Sequence, residues 1–320
     1  MSIPNQTRHQ TWARRFMRGE ETIMQKTILV VGGTGLLGQP VARCLKEAGF
    51  RVRIMTRDPH RASKLFDGSF EIVAGDPSDT VCLEQALHGC DGVHISLPTE
   101  VEQQVAELVA KLAARHGVER ISYISGATVA EENRWFPMTN RKFLAEQAIR
   151  EAGVPYTIFC PTWFMESLPL FVVQGRASVL GKQPHPYHWV AADDYARMVS
   201  TAHGLAEAAN QRIIVLGPEA IGMHEALRRY CAVFHPDIKQ VSTMPLWLVR
   251  LLATLTRNQD LKSAGELMAY FDKVGESSNL AKANRMLGTP TTTLDRWLER
   301  RKARHNAASP EGLSLPRSYA

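Results

Sequence analysis

Between residues 27 and 217 the chain alternates between two hydrophobic patterns. Strand-like apolar runs recur at 27–33 (TILVVGG), 51–57, 70–76, 92–98, 120–126 and 156–161. The stretches between them place apolar residues every three or four positions. Leu37, Val41, Leu45 and Ala48 share one face of 36–48, and Val101, Val105, Leu108, Val109 and Leu112 share one face of 100–116. The first pattern predicts strands; the second predicts helices, with further helices over 80–88 and 139–152. Regular strand–helix alternation implies an α/β fold, a doubly wound parallel sheet with helices on both faces. A later run, 211–217 (QRIIVLG), is assigned to the same sheet. Residues 166–185 and 218–305 hold helical stretches and Pro-rich turns, and read as a smaller, mostly helical C-terminal lobe. The core domain is then 25–165, its sheet completed by 186–217. Residues 1–24 and 306–320 read as disordered extensions, and no internal repeat is visible.

Charge changes this picture little. The net charge is +6 over 320 residues, but the excess sits at the ends: 4 Arg against 2 Glu in residues 1–24, and 6 Lys and Arg against 2 Glu in residues 296–320. The body is neutral, which argues against a nucleic-acid-binding face. Five cysteines without a CxxC pair suggest reduced thiols and a cytoplasmic protein. No apolar run is long enough to span a membrane. The longest, 244–255 (MPLWLVRLLATL), carries Arg250 and reads as a packed helix before a membrane-surface one. The first 24 residues lack the apolar segment of a secretory signal. No histidine or acidic spacing suits a metal site.

The candidate chemistry begins at residues 28–49, ILVVGGTGLLGQPVARCLKEAG. Glycines at 32, 35 and 38 lie between a predicted strand and a predicted helix. Such a loop turns sharply and lets backbone approach a diphosphate, while the helix N-terminus offers unpaired N–H groups and positive dipole to the anion. This context points to a dinucleotide. At the end of the second strand an acid would hold the ribose 2′-hydroxyl of NAD, whereas Arg57, followed by Arg61 and Lys64, suits a 2′-phosphate and hence NADP(H), with NAD(H) as the second option. Asp58 blurs that choice, and the cluster can also be read as solvated charge. Asp76 either sits by the adenine or caps the next helix.

With Arg57, VAGDPSD (73–79), PYTIFCPTWFMESL (155–168), VAADDYARMV (190–199) and LGTPTTTLDRWLERR (287–301) added to the glycine loop, residues 25–302 resemble the NmrA-like branch of the atypical short-chain dehydrogenase/reductases. The resemblance implies a Rossmann domain with bound NAD(P)(H). Gly32, Thr34, Gly35, Leu36, Leu37 and Gly38 would cradle the phosphates, Arg57 the 2′-phosphate, and Ser96, Leu97 and Pro98 the nicotinamide ribose. Ser125 would face the nicotinamide, and Lys142 would bind the ribose. The chain departs from the wider pattern at Met138, where short-chain dehydrogenases carry the Tyr that donates a proton. A thioether cannot donate one, so ordinary ketone reduction is in doubt. Cys160 and Ser167 replace the Arg and Asn of many relatives, which would alter the pocket floor.

Tyr123 is either a substitute donor or a core residue; His185, Tyr187 and His188 fall near the junction between the lobes, where a histidine is a proton donor or all three are loop residues at a strand entry. Asp193 and Asp194 read as caps of the helix that begins there. The aromatic stretches at 135–138 and 163–171 suit either core or a planar-substrate pocket. The expected function is an NADP(H)-dependent oxidoreductase acting on a small quinone-like or conjugated carbonyl substrate. The rival is a non-catalytic NADP(H) sensor working through a protein partner. A homodimer is compatible with either.

Overall fold

The computed structural model describes residues 25–276 and 286–308; of the extensions expected at 1–24 and 306–320, residues 306–308 instead continue the last helix and the remainder lies outside the described residues. The strands are β1 (Thr27–Val31), β2 (Arg51–Thr56), β3 (Glu71–Ala74), β4 (Gly92–Ile95), β5 (Arg120–Ile124), β6 (Tyr156–Pro161), β7 (Val172–Val173), β8 (Arg176–Leu180), β9 (Pro186–His188), β10 (Gln211–Val215), β11 (Ala220–Gly222) and β12 (Ser242–Met244). The helices are α1 (Gly38–Glu47), α2 (Pro59–Leu65), α3 (Thr80–Leu87), α4 (Thr99–His116), α5 (Pro137–Glu151), α6 (Ala192–Gly204), α7 (Met223–Phe234), α8 (Leu246–Thr256), α9 (Gln259–Phe271) and α10 (Leu294–Ala308).

Seven strands form one parallel sheet in the order β10-β6-β5-β4-β1-β2-β3. Side chains of a strand alternate between faces, and β1 divides accordingly. Ile28 and Val30 join Val41, Ala42 and Leu45 of α1 and Tyr195 and Val199 of α6. Leu29 and Val31 join Leu83 of α3, Val105 and Val109 of α4, and Ile149 of α5. All five β1 residues are buried, which explains why the run is apolar from Ile28 to Val31. Each such aliphatic side chain contributes about 1.5–3 kcal/mol by leaving water. The strand order reverses between β1 and β4, and α/β sheets bind ligands in the crevice beyond such a switch point.

The C-terminal region has its own core around Met165, Tyr187, Trp189, Tyr230, Met268 and Trp297. It is less purely helical than the sequence suggests, because β7, β8 and β12 form one small sheet and β9 and β11 another. On the main sheet α1, α3, α4 and α5 fall where the alternation predicts them, whereas α2, between β2 and β3, is a crossover helix it does not include. The caps of α6 do not. The helix opens at Ala192 with Ala191 as its uncapped N-terminus, so Asp193 and Asp194 fall inside the first turn. Asp194 instead accepts from the Thr291 and Thr292 N–H groups at 2.9 and 2.8 Å, and Glu166 accepts from the Ala192 N–H at 3.0 Å.

Within the sheet, Ser122 bridges two buried histidines, His94 on β4 and His203 on α6, at 2.8 Å each. His94 Nε2 and His203 Nδ1 have no hydrogen-bond partner. Burial pushes both rings down to about 3, so they stay neutral in the folded chain. Unfolding restores them to their ordinary value near 6.5. The unfolded chain therefore takes up more protons as pH falls through that window, and stability falls with it, by up to about 1.4 kcal/mol per ring per pH unit. The urea midpoint is expected to drop as pH falls from about 7 to about 4.5. The drop should shrink in a His94→Leu/Ser122→Ala/His203→Leu variant; an unchanged pH slope would contradict this reading.

Candidate active site

The glycine loop joins three elements at the carboxyl edge of the sheet. Gly32 has φ +88°, and a Cβ there would lie 1.9 Å from the Ser96 carbonyl oxygen at the tip of β4. A Cβ on Gly38 would lie 2.1 Å from the Gly32 oxygen. Only glycine permits both approaches. A third glycine, Gly33, lies outside the predicted 32, 35 and 38 spacing; its Cβ would press to 2.9 Å from Ile54 of β2. Gly35 differs, since an added Cβ there meets only the Gly32 oxygen at 3.2 Å. Its face therefore opens beside the start of α1. No side chain caps that helix end, and no acidic residue sits in its first turn. The Thr34 carbonyl is held by Gln39 Nε2 at 3.1 Å, while the Leu36 side chain is exposed. The loop residues fit a bound diphosphate, because backbone N–H groups and positive dipole face open space there.

Arg57 stands exposed at the end of β2. Its neighbour Asp58 is turned away into a cap, accepting from the Arg61 N–H at 2.8 Å. Asp76 is exposed and accepts from Ser78 N–H and Oγ at 2.9 and 2.6 Å, which, with a smaller contribution from Arg57, holds its carboxyl below the usual carboxylate range. Asp79, not Asp76, caps α3.

Beyond the loop lies a cavity of about 250 Å³. Leu37 from the glycine loop, Ser96 and Leu97 from the end of β4, Ser125 just after β5, and Met138 and Lys142 from α5 all line it. Pro98 does not line it; it sits at the N-cap of α4. Met138 and Lys142 are four apart on one helix face, so both reach the same space. Lys142 Nζ donates to Glu102 Oε1 at 2.6 Å and to the Ile124 carbonyl at 3.3 Å. Glu102 is completely buried and also accepts from the Tyr123 hydroxyl at 2.8 Å, while its Oε2 has no partner. Tyr123 is thus a core residue; burial and then Glu102 raise its pKa well above the usual value.

Ser125 donates its hydroxyl to Glu146 Oε1. Glu146 is buried and neutralised by Arg150 at 2.5 Å and Arg212 at 2.9 Å. Ser125 therefore presents only lone pairs to the cavity. Tyr187 also lines it, but its hydroxyl is given to the Phe271 carbonyl at 2.9 Å, and burial raises its pKa. His185 and His188 do not line the cavity; His188 Nδ1 instead pairs with Glu276, which does, at 2.7 Å. Trp163, Phe164 and Phe271 form an aromatic wall, and Trp163 Nε1 is buried without a partner. Trp135 and Phe136 instead pack on Tyr270, the latter stacked at 4.5 Å. Cys160 is buried beneath the site and Ser167 closes a turn on the Phe164 carbonyl at 2.6 Å, so neither forms the pocket floor. The sequence reading missed Glu102, Glu146 and Glu276. Two lie on helices where acids ordinarily face solvent, and only the fold reveals their burial. Among the described residues no group of three metal-ligating side chains forms, and no helix is long and apolar enough to cross a membrane.

The NmrA-like family model matches residues 24–295, and the chain belongs to that family. It is 35% identical over 212 residues to the (4-alkanoyl-5-oxo-2,5-dihydrofuran-3-yl)methyl phosphate reductase of Streptomyces griseus, covering 62% of this chain and 70% of that one. It is 29% identical over 234 residues to the NAD(P)H azoreductase of Xenophilus azovorans, covering 68% and 80%. In three dimensions it resembles the Citrobacter triphenylmethane reductase crystallised with NADP(H), with a TM-score of 0.70, 18% identity, and coverage of 86% of this chain and 99% of that one.

Removing one partner of a buried ion pair leaves the other charge stranded, at about 3–5 kcal/mol. Lys142→Met should lower the urea midpoint accordingly. Adding Glu102→Gln should recover much of the loss. A double variant no more stable than the single one would show that Glu102 is not what Lys142 stabilises.

Proposed function

We propose that this NmrA-like protein is an NADP(H)-dependent oxidoreductase that reduces a small, planar, conjugated substrate. The observation that carries this is the single cavity shared by the glycine loop and the Met138–Lys142 face of α5. A dinucleotide with its diphosphate on the loop would run toward that cavity. The diphosphate would rest on Gly35, Leu36 and Leu37, and the 2′-phosphate at Arg57, left available because Asp58 is committed to its cap. Ser96, Leu97 and Pro98 would border the ribose, and Asp76 would stand near the adenine. When bound, the cofactor supplies a hydride.

Lys142 keeps one ammonium N–H beyond those given to Glu102 and Ile124, and this one holds the ribose hydroxyls. Ser125, as an acceptor only, takes a hydrogen bond from the nicotinamide carboxamide. The wall of Trp163, Phe164 and Phe271 excludes water and suits a flat substrate. The unpartnered Trp163 N–H donates to a substrate oxygen. With Met138 unable to donate a proton and Ser125 and Tyr187 having given theirs away, the reduced substrate takes its proton from solvent as it leaves the walled cavity. This favours acceptors whose reduced form is a stabilised anion, such as quinones and enones. The named substrate of the Streptomyces relative, with its ring double bond beside an oxo and an alkanoyl group, has that character.

Met138 also favours a second reading, a sensor that binds NADP(H) without turnover. Loss of nicotinamide absorbance against a panel of quinones and enones separates the two. Turnover supports the first reading; tight binding with no consumption of any acceptor supports the second. Arg57→Ala should weaken NADPH about ten- to a hundredfold, the worth of charge-assisted hydrogen bonds, and NADH little. Equal effects on both would overturn the cofactor preference.

A further inference from the structure

A second cavity, of about 400 Å³, shares no lining residue with the first. It forms where the start of α6, the end of α7 and one face of α10 meet Pro40 in the first turn of α1. One wall is aromatic: Tyr230 lies against Phe234 at 5.1 Å, His235 at 5.7 Å and Trp297 at 6.4 Å. The rim beside it is cationic, with Arg300, Arg301 and Arg304 spaced along one face of α10 and His305 next to them.

Two acids also line the cavity, and both are satisfied from within the protein. Asp193 pairs with Arg304 at 3.1 Å. Glu166 accepts from Trp297 Nε1 at 2.7 Å and from the Ala192 N–H at 3.0 Å, and burial raises its pKa. Arg300 and Arg301 are left over; among the described residues neither takes part in an ion pair. The Arg301 guanidinium stands 5.2 Å over the Trp297 ring, held at the mouth of the aromatic wall. A cavity of this size accommodates a small molecule. Its fixed charge calls for an anion and its rings call for a planar apolar body.

We propose that this cavity is a binding site for an aromatic anion, a flat ring system carrying a carboxylate or phosphate. The ring lies against Tyr230 and Trp297, and the charged group meets Arg300 and Arg301. The site is independent of the dinucleotide reading, since it uses none of the same side chains.

The test is calorimetric titration of 1-naphthyl phosphate into the full-length protein, with and without saturating NADPH. Saturable binding is expected under both conditions. Inorganic phosphate and 1-naphthol, each holding half of the recognised chemistry, should bind at least about tenfold more weakly. Arg300→Gln/Arg301→Gln should weaken 1-naphthyl phosphate by about tenfold or more, with thermal midpoint and NADPH affinity unchanged. Both side chains reach solvent, so the variant should fold. No saturable binding, binding displaced by NADPH, or binding indifferent to the two substitutions would overturn the proposal. Phosphate binding as tightly as 1-naphthyl phosphate would overturn its aromatic part.

Discussion

Three backbone segments meet at Gly32, and the rest of the molecule is arranged around that contact. The space a Cβ would need there is filled by the Ser96 carbonyl, and the space beside Gly38 is filled by Gly32 itself. The close approach sets the end of β1, the start of α1 and the tip of β4 at one point on the carboxyl edge of the sheet. An uncapped helix terminus beside the opening at Gly35 is the consequence. In a protein with no anion to bind, that terminus would ordinarily carry a capping side chain or an acid in its first turn.

Buried charge organises the other side of the crevice. Glu102 and Glu146 hang from α4 and α5 into the interior, and each is neutralised by a cation from a different element: Lys142 of α5 for the first, Arg212 of β10 together with Arg150 for the second. Such pairs add little net stability over apolar packing, but they cost much when broken, so they hold their partners in fixed geometry. The effect is to define what faces the cavity. Lys142 arrives as an anchored cation, Ser125 as an acceptor, and Tyr123 not at all. The polar chemistry of the pocket is set by carboxylates that do not touch it.

Much of this was legible in the chain. Apolar runs buried on both faces gave the strands, since their period follows directly from burial in a parallel sheet. The turn at the glycines, the place of Arg57 at a strand end and the shared helix face of Met138 and Lys142 were readable because each placement depends on local geometry. Burial of a polar side chain depends on which helices meet, and that is not local. Glu102 lies in TEVEQQ, a polar first turn that gives no sign of facing the core. Asp193 and Asp194 looked like caps because acids at a helix start usually are. In the fold, Glu166 reaches α6 from a distant segment and takes that place. The second cavity was likewise invisible, since its arginines read as a basic tail until α10 is seen packed against α7.

The central claim is that the glycine loop carries a pyridine dinucleotide. Equilibrium titration of the purified, folded protein with NADPH, followed by nicotinamide fluorescence, tests it most directly. The account requires saturable binding of one dinucleotide per chain, with emission altered as the nicotinamide enters the aromatic-walled cavity. A folded protein with no saturable affinity for either NADPH or NADH would contradict it.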